Sequence, residues 1–156
     1  MKSLKIFLGP KTFWFSLLLT VATGLGCVNG RQKISPKLFN GTDLTGWEIT
    51  DFAGSGEIKV KDGELQIAMG ELISGINLTH DNIPRTNYEL EAEALKVDGD
   101  DFFCAITFPL GETYATFIPG GWGGSLVGIS SIDGMDAAEE ETASFKKFDK
   151  NQWNRL

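Results

Sequence analysis

Two adjacent aspartates have the chemistry of a catalytic or metal-binding pair. Asp100 and Asp101 follow a glycine turn and come directly before the apolar run FFCAITF, so the sequence places both carboxyl groups at the start of a buried segment. Carboxyl groups in such a position can act as general acid and base or hold a divalent metal ion. The alternative is that they shape the turn and keep it soluble.

A tryptophan between glycines is the second candidate. Trp122 stands in the segment GGWGGS, and glycines have the most backbone freedom to lose on folding. Sugar rings present patches of C–H that stack on aromatic faces, and indole offers a large face with an N–H donor at its edge. The glycines therefore either raise Trp122 toward a carbohydrate or turn it into the core, and the sequence leaves both interpretations open. Trp47, which opens a strand-like run, is expected in the core.

Other candidate metal ligands are few. His80 is the only histidine and lies in the polar segment THDN, where it is either solvated or a ligand. The segment DGMDAAEEE, which contains Asp133 and Asp136, offers the oxygen ligands that calcium prefers, but its spacing differs from that of an EF-hand loop. It is therefore either a solvated acidic loop or a site for calcium or a transition metal. No cofactor is certain from the sequence.

The elements that must position these side chains are β-strands. Apolar and polar residues alternate in several short segments, and Asp62-Gly63 between two of them is a hairpin signal. Segment 87–97 alternates up to Ala94-Leu95, where the parity slips and a bulge is expected. Further strands are expected at 57–60, 64–67, 72–79, 113–118, 125–132 and 143–148.

One segment stands apart because it is almost wholly apolar. Residues 101–108 are expected to form a central strand buried on both faces, with Cys104 as a core residue. Short strands at this spacing predict an all-β fold, an antiparallel β-sandwich or jelly roll.

The last residues, NQWNRL, begin as a strand and stop without a turn or cap, so we expect a fragment with an incomplete C-terminus.

The first residues have the layout of an export signal. Residues 1–26 combine lysines with an uncharged apolar run and small residues, which predicts a signal peptide. Residues 27–37 are expected to be a tether, followed by a domain at 38–156. Cys27 directly follows the apolar run, as the lipidated cysteine of bacterial lipoproteins does. The protein is therefore expected to be exported, either as a cell-envelope lipoprotein attached to the membrane through Cys27 or as a secreted protein.

The charge argues against a nucleic-acid partner. Three of the 14 basic residues and none of the 21 acidic ones fall in residues 1–26. The remaining chain carries a formal charge of about −10, whereas nucleic-acid affinity depends on basic groups that meet phosphates. Such a chain suits an extracytoplasmic protein that binds neutral molecules or cations.

The opening of the domain resembles a known family. Residues 38–49 are LFNGTDLTGWEI, and LFNG, DL and GW within them resemble the opening motif of the 3-keto-disaccharide hydrolase domain family. A VKDGEL hairpin, a YELEAEA strand and the pair Trp153-Asn154 are similar to later features of that family. The resemblance extends over residues 36–156.

The resemblance implies a concanavalin-like β-sandwich, exported by bacteria, that acts on sugars oxidised at carbon 3. The keto group makes the hydrogen at carbon 2 acidic, so a base can remove it. The glycosidic oxygen then leaves by elimination, and water adds afterwards. This chemistry needs a base, an acid and a group that stabilises the enolate, often a metal ion.

The same resemblance suggests where the chemistry would lie. The family's Gly-Tyr-Glu segment corresponds here to Glu112 and Tyr114 in altered order, and Pro109-Leu110 replaces its Phe-Arg pair. Asp100, Asp101 and Glu112 are the candidate acid, base or metal ligands. Trp122 and Tyr114 are the candidate substrate-binding residues.

Three functions are compatible with the sequence. The first is a hydrolase or lyase that cleaves glycosidic bonds of 3-keto-sugars. The second is a non-catalytic, lectin-like carbohydrate-binding module, and the third is a structural protein of the cell envelope. An enzyme needs carboxyl groups that converge in one cleft, whereas a binder needs aromatic and amide groups without them.

Overall fold

Short strands account for nearly all of the regular structure. The computed structural model describes residues 2–5, 37–80 and 82–156. The strands are β1 (Lys2–Lys5), β2 (Trp47–Ile49), β3 (Ile58–Lys61), β4 (Glu64–Ile67), β5 (Ile76–Leu78), β6 (Glu93–Lys96), β7 (Ile106–Leu110), β8 (Thr113–Gly121), β9 (Leu126–Ser130), β10 (Ser144–Phe145) and β11 (Trp153–Arg155). The helical element α1 (Trp122–Ser125) is a four-residue turn whose Gly123 and Gly124 have non-helical backbone angles. The all-β prediction is confirmed for the described residues.

The strands form three antiparallel sheets. One has five strands in the order β11-β6-β1-β4-β3, one has four in the order β10-β9-β8-β7, and the third pairs β2 with β5. β1 pairs with both β4 and β6 although it lies within the predicted signal peptide. Removal of that signal peptide would therefore take β1 out of the five-stranded sheet. Cys27 and the tether up to residue 36 lie outside the described residues, and export and lipidation stay predictions.

Residues with positive φ form the tight turns of two hairpins, and the sequence predicted the first of them. Between β3 and β4, Asp62 and Gly63 have φ of 53° and 79°, and two positive φ angles are what a two-residue type I′ loop requires. The pairing Lys61↔Glu64 closes directly on them, which confirms the predicted hairpin. Between β7 and β8, Gly111 with φ of 57° turns the chain so that Leu110 pairs with Thr113.

The structure corrects the expectation of a central strand at 101–108. β7 begins only at Ile106 and lies at the edge of its sheet, and none of its residues is fully buried. The physical reason is Pro109, which has no N–H to donate and is tolerated at a sheet edge. Phe103 is buried as expected but precedes the strand, and its N–H donates to the Gly120 carbonyl at 2.6 Å.

The expected bulge at Ala94-Leu95 is also wrong. β6 keeps an unbroken register with β11 through this pair, and its burial alternates up to Lys96. Leu95, the apolar residue at the wrong parity, is half-buried, and the side chain of Lys96 takes the inward position. The irregular register lies instead between β8 and β9, from Pro119 to Gly121.

Two clusters of buried side chains hold the sheets together. The first contains Ala94, Phe103 and Phe148, with Cys104, Val127 and Leu156 packed against it, and it joins β6 to β9. The second contains Ile118, Leu126 and Ala137, with Phe102 and Ala143 against it, and it joins β8 and β9 to the acidic segment.

Trp47, which was expected in the core, is only half-buried. Its indole N–H donates to the Leu38 carbonyl at 2.8 Å, which ties β2 to the start of the domain.

Within the described ranges, the chain forms no helix with the length and apolar character needed to span a membrane.

Candidate functional site

The glycine turn between β8 and β9 presents Trp122 to solvent. Its side chain is 54% exposed, so the indole does not fill the core. The ring of Phe102 meets it edge-on, with centroids 6.4 Å apart and an interplanar angle of 90°. Such an edge-to-face contact supports the indole on one side and leaves the rest of its surface open.

Two of the glycines around Trp122 are required by close approach of other atoms. A Cβ on Gly124, whose φ is 76°, would lie 2.6 Å from the Asp100 carbonyl oxygen. A Cβ on Gly120, whose φ is 71°, would lie 2.8 Å from Cβ of Phe103. Positive φ and these contacts together restrict both positions to glycine. The glycines therefore allow the turn to pack directly against residues 100–103.

The carboxylate of Asp101 holds the glycine turn around Trp122 through a hydrogen bond. Its Oδ1 accepts a hydrogen bond from the Gly123 N–H at 2.7 Å. A carboxylate that accepts from a backbone N–H makes a short, charge-assisted bond. The backbone of the residue after Trp122 is thereby held in place.

Lys96 supports the same segment from inside the protein. It is buried, with 4% of its surface exposed, and its Nζ donates to the Asp101 carbonyl at 3.4 Å. The sequence analysis missed this residue because it treated the parity change at Ala94-Leu95 as a bulge. Extending the inward parity of Ala92 and Ala94 by one more step would have found it.

Asp100 belongs to an exposed ion-pair group. Lys150 Nζ lies 3.1 Å from Oδ1 of Asp100 and 3.3 Å from Oδ1 of Asp98. The pKa of Asp98 is lowered, first by the hydrogen bond from the Gly99 backbone and then by Lys150. The pKa of Lys150 is raised by its hydrogen bonds to Asp100 and Asp98. These groups are exposed, so their contribution to stability is small.

Glu112 and Tyr114 lie at the opposite end of β8. Thr113–Gly121 spans nine residues, and a rise of about 3.3 Å per residue separates the two ends by roughly 25 Å. The structure therefore brings Asp100 and Asp101 to Trp122, but it does not bring Glu112 or Tyr114 there. The five candidate residues therefore lie in two separate places, at opposite ends of β8.

Arg85 organises the end where Tyr114 lies. Its guanidinium stands 5.0 Å from the centre of the Tyr114 ring, donates to the phenol oxygen at 3.4 Å, and donates to the Thr113 carbonyl at 3.2 Å. Nε donates to the Gly111 carbonyl. The pKa of Arg85 is raised, chiefly by the hydrogen bond to Tyr114. No sequence motif marks Arg85, since its contacts cross 25 or more positions of the chain.

The acidic segment is folded by local hydrogen bonds. Asp133 has φ of 50° in the turn where Ile132 and Met135 pair, and Asp136 accepts from the Ser130 hydroxyl at 3.2 Å. Glu140 is its buried carboxyl, with 9% of its surface exposed.

Metal binding gains no assembled donor set from the described residues. No group of three or more His, Cys, Asp or Glu side chains converges there on a point where an ion could be held. The ring of His80 lies against Gly46, where an added Cβ would come within 2.5 Å of its Nε2. The divalent metal, calcium or a transition metal, therefore stays a prediction from the sequence.

Comparison of the chain with protein-family models, with curated proteins and with solved structures found no match.

Proposed function

We propose that this chain is an exported carbohydrate-binding protein in which Trp122 is the surface on which a sugar ring stacks. One observation carries the proposal. The indole is 54% exposed on a turn whose backbone is fixed by Asp101, and Phe102 supports it from the side. We further propose that the sheets form a concanavalin-like β-sandwich, as the resemblance to the 3-keto-disaccharide hydrolase domain family implies.

The preorganised position of Trp122 favours a role in ligand binding over the alternative that the ring is exposed by chance. Immobilising a side chain on binding costs free energy, and a side chain already held in place avoids part of that cost. Trp122 is braced by Phe102, and its turn is closed by the hydrogen bond between Gly123 and Asp101. The carboxyl group of Asp101, which meets the Gly123 N–H, offers oxygen acceptors for sugar hydroxyl groups at the turn. A neutral sugar is also compatible with the acidic balance of the chain.

Titration calorimetry with neutral disaccharides and 3-keto-glucosides tests this proposal. Trp122→Ala is expected to weaken binding at least tenfold, and Trp122→Phe is expected to retain part of it. Phe145→Ala is the matched control, because Phe145 is 79% exposed on β10 and has no place in the proposed site. Equal binding by the wild type and Trp122→Ala would overturn the proposal.

Cleavage of the sugar is the second candidate, and it is favoured by the position of two carboxyl groups beside Trp122. In this case Asp101 or Asp100 would take the proton from carbon 2 of a 3-keto-sugar. The pair of electrons forms the double bond to carbon 1, the glycosidic oxygen leaves with a proton from an acid, and water adds back. Asp101 already accepts the Gly123 N–H and Asp100 faces Lys150, so the base would work while keeping these contacts.

Asp101→Asn separates binding from cleavage. The amide oxygen can still accept from Gly123, so the turn is preserved while the ionised carboxylate is lost. If Asp101 is the base of an enzyme, this variant binds 3-keto-glucosides but no longer releases product, with or without divalent metal; if Asp100 is the base, Asp100→Asn has that effect instead. Binding without turnover in the wild type supports the lectin-like function alone. Absence of both supports a structural protein of the cell envelope.

A further inference from the structure

A second potential site lies between the two larger sheets, at the end of β8 away from Trp122. A cavity of about 360 Å³ opens there. Leu90 and Ala92 line one side, and Ile106, Phe117 and Ile129 line the other. The geometry points to a binding site for a small amphiphile that consists of an aliphatic chain and a carboxylate, the class of a medium-chain fatty acid.

The walls determine the body of this ligand. The side chains on both sides are aliphatic or aromatic, and such a surface gives water few hydrogen-bond partners. The volume falls within the range of small-molecule sites, which are mostly apolar with a few polar groups that fix orientation. A sugar would leave its hydroxyl groups without partners against these walls, at a considerable cost in free energy. An aliphatic chain has no such groups.

The rim determines the head group. Arg85 lines the cavity and is half-buried, and its partners in the described structure are two carbonyls, one phenol oxygen and the ring of Tyr114. None of these hydrogen-bond partners is a carboxylate, although Glu112 is near enough to help raise the pKa of Arg85. An arginine has five N–H donors, so the three hydrogen bonds leave two donors for a ligand. A carboxylate would accept from these two donors in short, charge-assisted hydrogen bonds.

Tyr88 fixes the other side of the rim. Its hydroxyl donates to the carbonyl of Pro109 in β7, which ties the segment before β6 to the edge of the opposite sheet. The two polar side chains are thus both anchored to the β7–β8 hairpin, while the space between the sheets stays open behind them. Polar groups at the mouth and apolar groups inside form the arrangement that an amphiphile fits end-on.

Methyl-resolved NMR with octanoate and 1-octanol near neutral pH tests the proposal. Saturable shifts are expected at the methyl groups of Ile106 and Ile129, while those of the exposed Ile49 stay unchanged. Octanoate is expected to bind at least tenfold more tightly than the alcohol of equal chain length, because only the carboxylate pairs with Arg85. Arg85→Gln is expected to remove this difference while keeping the binding of octanol.

Three variants control the test. Arg155→Gln removes an arginine that pairs with the exposed side of Glu91, and it should leave the preference for octanoate intact. Ala92→Leu adds side-chain volume at one wall and should abolish binding of both ligands; because Ala92 is buried, the variant's fold is checked by its methyl spectrum. If Arg85→Gln does not fold, Arg85→Lys keeps the charge and should retain a smaller preference.

The outcomes are clear-cut. No shift at Ile106 and Ile129 would overturn the proposal, as would equal affinity for the two ligands in the wild type. Nuclear Overhauser contacts that show another segment of the chain filling the cavity would overturn it too. Trp122→Ala should leave octanoate binding unchanged, so failure of the carbohydrate proposal does not affect this one.

Discussion

The two ends of β8 solve different physical problems. At the Trp122 end, Phe103 and Phe148 are 1% and 5% exposed, their rings lie 5.2 Å apart, and glycine brings one backbone against another. At the hairpin end, a cavity of about 360 Å³ opens between side chains of the two sheets among the described residues. Close packing gives the first end a fixed backbone that can aim a side chain. Open volume gives the second end room for a ligand body.

The charged side chains also differ between the two ends of β8. Around Trp122 the charged side chains are mostly acidic, and Lys150 is paired with two of them. At the hairpin, the guanidinium of Arg85 meets carbonyls and a phenol in the described part of the chain. The two proposed sites thus differ in chemistry because the two ends of β8 are packed differently.

Truncating one buried ring at each end should give the largest effect and tests whether the packing differs. Phe103→Ala is expected to lower the free energy of unfolding by about 4 kcal/mol, since a fully enclosed ring leaves a cavity behind. Phe117→Ala is expected to cost only about 2 kcal/mol, because one side of this ring already faces open space. Urea unfolding measures both values. Equal losses would mean that the two ends are packed alike.

Adding a methyl group to the glycine turn should give the next largest effect. Gly124→Ala is expected to cost about 3 kcal/mol, because strain at positive φ is combined with a clash against the Asp100 carbonyl. Gly123→Ala is the matched control, with φ of 71° but nothing within 4 Å of the new Cβ, and should cost about 1 kcal/mol. Urea unfolding of both variants checks the difference. Equal costs would show that the turn is strained but not closely packed.

Local turn chemistry is the part of the fold that the sequence predicted best. Asp62-Gly63 forms the expected hairpin because the dipeptide itself accepts the two positive φ angles. The expectation for 101–108 was wrong because an apolar run does not reveal whether its strand lies at the centre or the edge of a sheet. That depends on pairing with distant residues, and Pro109 was the local sign that went unused.

The candidate site was predictable to a similar extent. Neighbours in sequence indicated Asp100 and Asp101, whereas the glycines around Trp122 left open whether the indole is exposed or in the core, and the structure shows it exposed. The separation of Glu112 and Tyr114 from them follows from the length of β8, which sequence analysis underestimated. Arg85 was missed because it acts through contacts to a distant hairpin, which leave no motif in the sequence, whereas Lys96 was missed because a bulge was expected where the alternation in fact continues.

The smallest expected effect concerns the rim of the cavity and its response to pH. Tyr88 is half-buried, and this burial raises the pKa of its phenol above the usual value of 10.0, although Arg85 acts in the opposite direction. In the unfolded chain the phenol therefore loses its proton first. The stabilisation from Tyr88 is fully present below about pH 10 and is lost as the pH rises through the folded-state pKa.

Tyr88→Phe sharpens the comparison because it removes this titration from the hairpin end alone. The free energy of unfolding of the wild type is expected to fall between about pH 9 and about pH 11, and that of the variant should fall less steeply. Phe145→Ala, which leaves both tyrosines in place, should keep the wild-type slope. Identical slopes in the wild type and Tyr88→Phe would mean that the phenol is in water, and that the cavity lacks the enclosed rim that distinguishes this end from the end at Trp122.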